Sequence, residues 1–264
     1  MPFHLTGWAQ DIDLGGTAQG LTALADEIVV TSGDNLRIPE LPNLLAAMVG
    51  LASDTALEPE ARINAPSQQR YLPVHLLPVN GATDADVEPS TPQAVSDFRE
   101  APIEFTRSED ASVVVNGDSS AAAFQWVLGL WGSGVDPVPA GRRMVARYTS
   151  GTTVTARAWS NCALTFQQAL PVGRYAVIGL RPMAATAIAA RIVYRGGAAG
   201  SWRPGALACD KESDLQHEMF RQGGLGSWGE FESDNPPSLE YLCGSADTAE
   251  EGLIDLVLVR EGRV

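Results

Sequence analysis

Leu253-Ile254-Asp255-Leu256-Val257-Leu258-Val259 (LIDLVLV) is an apolar, β-branched run of strand length near the end of the chain. Such a run predicts a strand in the middle of a sheet rather than at its edge. Working outward from it, the same β texture recurs in Leu239–Cys243, Ala206–Cys209, Thr186–Tyr194 and Gly173–Leu180. Further upstream, Asn161–Gln168, Thr152–Ser160 and Arg142–Thr149 continue the series. Ser150-Gly151 reads as a two-residue hairpin turn, which would set Met144 opposite Arg157 and Arg142 opposite Trp159 as a cation–π pair.

The N-terminal half is less regular. Met1–Gly20 reads as an irregular arm with apolar handles at Phe3, Leu5, Trp8, Ile12 and Leu14, of a kind that docks on a neighbour. Strands are expected at Glu27–Thr31, Leu36–Ile38, Ile103–Arg107, Ser112–Asn116 and Ala122–Trp131. Asn43–Ser53 (NLLAAMVGLAS) predicts a helix capped by Asn43, with Leu44, Leu45, Met48, Leu51 and Ala52 on one face. Pro73 and Pro78 confine Arg70–Val79 to an edge strand or a bent crossing. Gly132–Gly141 is a Gly/Pro run and the natural seam of the chain.

Roughly fifteen short strands spaced about 8 to 15 residues apart argue an all-β sandwich. At that spacing a jelly-roll β-sandwich takes about 110 to 150 residues. The 264 residues are therefore read as an arm (1–20) and two tandem jelly rolls (21–136 and 137–264) with one or two short helices. One jelly roll with long loops also fits the count.

Charge is strongly segregated. The net charge is −14 and Lys211 is the only lysine. Met1–Asp136 holds 5 Arg against 19 acids, Pro137–Cys209 holds 9 Arg and no acid, and Asp210–Val264 holds 4 basic residues against 13 acids. This composition excludes a generally basic nucleic-acid binder, and an arm without a basic residue before Arg37 leaves no sequence-specific nucleic-acid role. The acidic–basic–acidic order predicts that Arg143, Arg147, Arg157, Arg174, Arg181 and Arg191 face acidic surface of the same or an adjacent subunit. The plainer alternative is that these arginines line solvated strand faces.

Tests for chemistry give no catalytic residues. Trp131-Gly132-Ser133-Gly134-Val135 lacks both outer glycines of a nucleophile elbow. Gly117-Asp118-Ser119 is followed by Ser120 and Ala121, without a histidine in a protease-like context. His4, His75 and His217 are isolated, so no metal is expected. Asp84, Asp86 and Glu88 alternate like the first ligands of a calcium loop, but Pro89 and Val95 occupy the positions that motif reserves for Gly and Glu, so the three read as a solvated acidic tip, with loose calcium binding as the alternative. Gly196–Gly200 does not form a dinucleotide fingerprint, so no cofactor is expected. Cys162, Cys209 and Cys243 are too widely spaced for a zinc knuckle or disulfide framework and read as buried thiols. No apolar run is long enough for a transmembrane segment, and the N-terminus has no secretory pattern. The remaining conspicuous residues are aromatic: Trp131, Trp202 and Trp228 near glycine-rich turns could anchor an interface or line a sugar groove.

The β succession, the proline-bearing loops, the helix expected at Asn43–Ser53, and Leu170–Leu180 (LPVGRYAVIGL) leading to Trp202-Arg203-Pro204-Gly205 resemble jelly-roll capsid proteins. In length the chain is similar to the double jelly-roll major capsid proteins of icosahedral bacterial viruses. The resemblance implies a structural virion protein without enzymatic activity, made in the host cytoplasm. It further implies homotrimers within a larger self-assembling shell, in contact with other virion proteins. Phe3, Trp8, Trp202, Trp228 and the arginines at 143, 147, 157, 174 and 181 are the expected interface residues. The alternative is a carbohydrate- or receptor-binding β-sandwich using Trp202, Trp228 and the loop Asp84–Glu88.

Overall fold

The computed structural model describes residues 3–52, 60–69, 73–76, 79–81, 95–117, 122–133, 136–194, 202–210, 225–248 and 250–262. The chain divides into two compact units, Leu5–Gly132 and Ser133–Val264 together with Met1–His4.

The N-terminal unit contains β1 (Phe3–Ile12, whose first two residues belong to the C-terminal unit), β2 (Gln19–Leu21), β3 (Thr31–Ser32), β4 (Asn35–Arg37), β5 (Asn43–Ala52) and β6 (Glu60–Asn64). It continues with β7 (Val74–Leu76), β8 (Val79–Gly81), β9 (Val95–Asp97), β10 (Ile103–Glu104), β11 (Asp110–Asn116) and β12 (Ala123–Gly132). One sheet runs β1-β12-β5-β10, with β8 and β9 also on β5; the other runs β3-β4-β11-β6-β7, with β2 on β11. Trp8, Leu44, Val49, Val127 and Trp131 from the first sheet and Ile63, Val113 and Val115 from the second share one core. β11 alternates as a strand covered on one side must: Ala111, Val113 and Val115 are buried, while Ser112, Val114 and Asn116 are partly exposed. The proline-flanked β7 lies at the end of its sheet and, among the described residues, pairs with β6 alone, in keeping with its sequence.

Two expectations are corrected here. Asn43–Ala52 is strand β5, not a helix, and the described residues contain no helix. β5 is held between β12 on one side and β8, β9 and β10 on the other. Leu44 through Val49 are all within 1% of complete burial, so both faces are covered. A strand buried on both faces carries no polar alternation, and its leucines can then match a helical spacing by accident. Phe3–Ile12 is likewise strand β1 paired with β12, not an irregular arm, and its first seven residues are buried.

The C-terminal unit contains β13 (Arg142–Thr149), β14 (Ser160–Cys162), β15 (Thr165–Phe166), β16 (Gly173–Ala184) and β17 (Ala187–Val193). It ends with β18 (Gly205–Leu207), β19 (Cys209–Asp210), β20 (Gly229–Glu232), β21 (Ser238–Cys243) and β22 (Glu251–Glu261). One sheet runs β15-β13-β22-β16-β19 with β20 also on β16, and the other runs β14-β21-β17-β18. The LIDLVLV run lies within β22, paired on both sides, by β13 and by β16.

The expected hairpin at Ser150-Gly151 does not form. β13 pairs with β22 along its length, while Val154 and Ala156 bridge to Asp247 and Cys243. Arg157 adopts φ 62°, which ends extended structure at that point. Trp159 accordingly takes its cation from Arg191, 4.2 Å from the ring centre, and not from Arg142.

The two units share an arrangement of strands. Counting the principal strands of each unit from one to eight, with β2 and β4 as the second and β9 and β10 as the sixth, one sheet reads 1-8-3-6 and the other 2-7-4-5. In the C-terminal unit these are β13-β22-β16-β20 and β14-β21-β17-β18. Late strands therefore lie between early ones in every sheet.

Candidate functional site

The interleaving of late with early strands decides where the charge blocks meet. β13, β16 and β17 carry the acid-free arginine block, and β20, β21 and β22 carry carboxylates of the C-terminal acidic block. Arg147 bonds Glu251 at 2.6 Å, Arg174 bonds Glu230 at 2.6 Å, and Arg181 bonds Asp255 at 2.9 Å. The first two pairs are well exposed, where solvent and salt leave each worth under about 1 kcal/mol.

A fourth contact is buried. Arg191 on β17 lies directly opposite Glu240 on β21, and its Nε donates to Glu240 Oε2 at 2.6 Å. Arg203, ahead of β18, donates from Nη1 to both carboxylate oxygens at 2.6 and 2.8 Å. Arg191 is 1% exposed, and Arg203 and Glu240 are under a tenth exposed. The Trp159 ring covers Arg191. The Arg203 backbone N–H donates to His4 Nδ1 at 3.3 Å, which makes that nitrogen the acceptor of the imidazole. His4 is fully buried and meets Trp202 edge-on, with ring centres 5.8 Å apart. One carboxylate thus ties two strands and a loop together.

Glu240, Arg203, Trp159 and His4 were not expected to act together. Glu240 within Ser238–Cys243 (SLEYLC) is a charged residue in an apolar strand, and that is the signal a buried ion pair leaves in sequence.

The other expected residues separate. Phe3 and Trp8 are completely buried and Trp228 is 3% exposed, so each is enclosed within the subunit. As presented by a single subunit they offer no anchor or sugar-stacking platform, because large apolar rings gain more from burial in their own chain than from exposure. Trp202 is partly exposed. Arg157 donates its backbone N–H to the Cys243 carbonyl, and Arg143 projects from an exposed part of β13. Asp84, Asp86 and Glu88 lie outside the described residues.

Cys162 and Cys243 are free and buried. Burial pushes the Cys162 thiol up to about 11 and the Cys243 thiol higher still, so neither is an activated nucleophile. No group of three His, Cys, Asp or Glu able to hold a metal occurs among the described residues. No helix there is long and apolar enough to cross a membrane. No family model, curated protein or solved structure matches the chain.

Proposed function

We propose that this chain is a structural virion protein built from two tandem jelly rolls, which assembles as homotrimers into an icosahedral shell with other virion proteins. The observation that carries the reading is the repeated strand order. A sandwich of 1-8-3-6 over 2-7-4-5 is the order of an eight-stranded jelly roll, in which two Greek keys fold together. Both units have it. The reading also accords with the residues that resemble capsid proteins, Leu170–Leu180, which span most of β16.

Size-exclusion chromatography with light scattering, followed by negative-stain microscopy, tests this reading. Trimers that grow into closed shells as concentration rises are expected. A monomer at every protein concentration and ionic strength would overturn it.

A further inference from the structure

We propose that the open edge of β13 is a docking site for an extended, acidic strand of a partner protein. On one side β13 is paired along its whole length, Arg142–Thr149 against Leu258–Glu251 of β22. On the other side it is paired only at its end, where Tyr148 and Thr149 meet Phe166 and Thr165 and the Gln167 N–H reaches the Arg147 carbonyl at 3.0 Å. The N–H and C=O of a strand residue point to the same side and alternate along the chain. With the Arg147 carbonyl on the β15 side, the amide groups of Val145 and Arg143 also point to that side, where among the described residues no strand pairs with them. There the chain after β15 stands away from β13, leaving a cleft of about 360 Å³ between Met144–Arg147 and Gln167–Pro171. Val145 is 52% exposed in it.

An unpaired edge beside an open cleft is the geometry of strand addition, in which main-chain bonds supply affinity and alternate side chains supply selectivity. Arginine supplies the selectivity here. Arg142 and Arg143 are exposed and have no acidic partner among the described residues. A second β13 paired edge to edge would set arginine near arginine, so this edge disfavours its own copy. The occupant that fits places a carboxylate opposite Arg143 and a small apolar side chain opposite Val145, two residues apart on an antiparallel strand.

The probe is a fluorescein-labelled, blocked peptide of sequence Thr-Glu-Thr-Val-Thr-Glu-Thr, titrated with the full chain by fluorescence anisotropy. Its counterparts carry lysine for glutamate, or N-methyl groups on alternate amides. Saturable binding of the acidic peptide is expected, at least about tenfold weaker for either counterpart. Val145→Pro removes a donor that faces away from β22, and is expected to weaken binding about tenfold while the thermal transition persists. Arg143→Glu changes only an exposed charge and is expected to weaken the acidic peptide and strengthen the lysine one, so the test does not depend on the proline variant folding. Equal binding of the acidic and lysine peptides, or no effect of Arg143→Glu, would overturn the proposal. So would an oligomer of the unliganded chain, seen by sedimentation velocity, that Val145→Pro dissociates, because the edge would then belong to a second copy.

Discussion

The hydroxyls of Tyr148 and Tyr241 meet at 2.8 Å in the buried interior of the C-terminal unit and join β13 of one sheet to β21 of the other. Tyr241 also donates to the Glu251 carbonyl at 3.0 Å. A phenol has one proton, so Tyr148 is the donor to Tyr241. Tyr241→Phe therefore strands the Tyr148 hydroxyl and removes a donor from Glu251, at an expected cost of about 1–3 kcal/mol. Tyr148→Phe leaves the Tyr241 bond to Glu251 intact and is expected to cost about 0.5–1.5 kcal/mol. Urea unfolding of the two variants checks the order, and a costlier Tyr148→Phe would refute the donor assignment.

Glu240 is shared by buried Arg191 and Arg203. Glu240→Ala leaves two guanidiniums without that charge in a water-poor setting, an expected loss of about 3–5 kcal/mol. Arg147→Ala breaks a pair whose arginine is 52% exposed, and is expected to cost under about 1 kcal/mol. Added salt should lower the stability contributed by the exposed pair and barely alter that of the buried contact. Denaturation midpoints at low and high ionic strength measure both differences.

Gly50 lies opposite Trp126 across β5 and β12, and a Cβ at Gly50 would come well inside van der Waals contact of Trp126 Cε2. Trp126 is completely buried, so the ring cannot swing into solvent without losing its core contacts. Gly50→Ala is expected to destabilise by about 1–3 kcal/mol through overpacking. Trp126→Phe should make room for the methyl group, so the double variant should cost less than the two single costs combined. Calorimetric melting of the four proteins completes the cycle, and strict additivity would mean that the ring and the glycine are not coupled.

Alkaline pH should unfold the chain by way of its buried acids. Burial raises the Tyr148, Tyr194 and Tyr241 phenols above their ordinary 10, and raises the Cys162 thiol from 9 to about 11. Above pH 9 the unfolded chain releases protons that the folded chain still holds, so the folded state binds more protons and stability falls as pH rises. The contribution of Cys162 is complete below pH 9 and is lost progressively from there through about 11, with the phenols adding to the loss above 10. Urea midpoints should be insensitive to these groups below pH 9 and decline beyond it. Cys162→Ala should make the decline that begins near 9 shallower, leaving the share that buried Cys243 contributes, which a pH series on that variant would show.

Local pattern carried much of the β-structure. LIDLVLV announces a central strand because apolar β-branched residues suit a position paired on both sides, and β22 occupies that position. β13 has the predicted bounds Arg142–Thr149, and the alternation in β11 follows directly from one covered face. The failure at β5 has a definite cause, since complete burial erases the alternation that would distinguish strand from helix.

The sequence by itself determined that a basic, acid-free middle block is followed by an acidic one, and so that the chain holds complementary charge. In the folded chain much of this complementarity is satisfied internally. Arg147 and Glu251 are 104 residues apart, and Arg191 and Glu240 are 49 apart. They meet because β22 inserts between β13 and β16, and β21 between β14 and β17. Strand order is set by which apolar faces can share a core across such separations, and no local spacing of arginines and carboxylates encodes it.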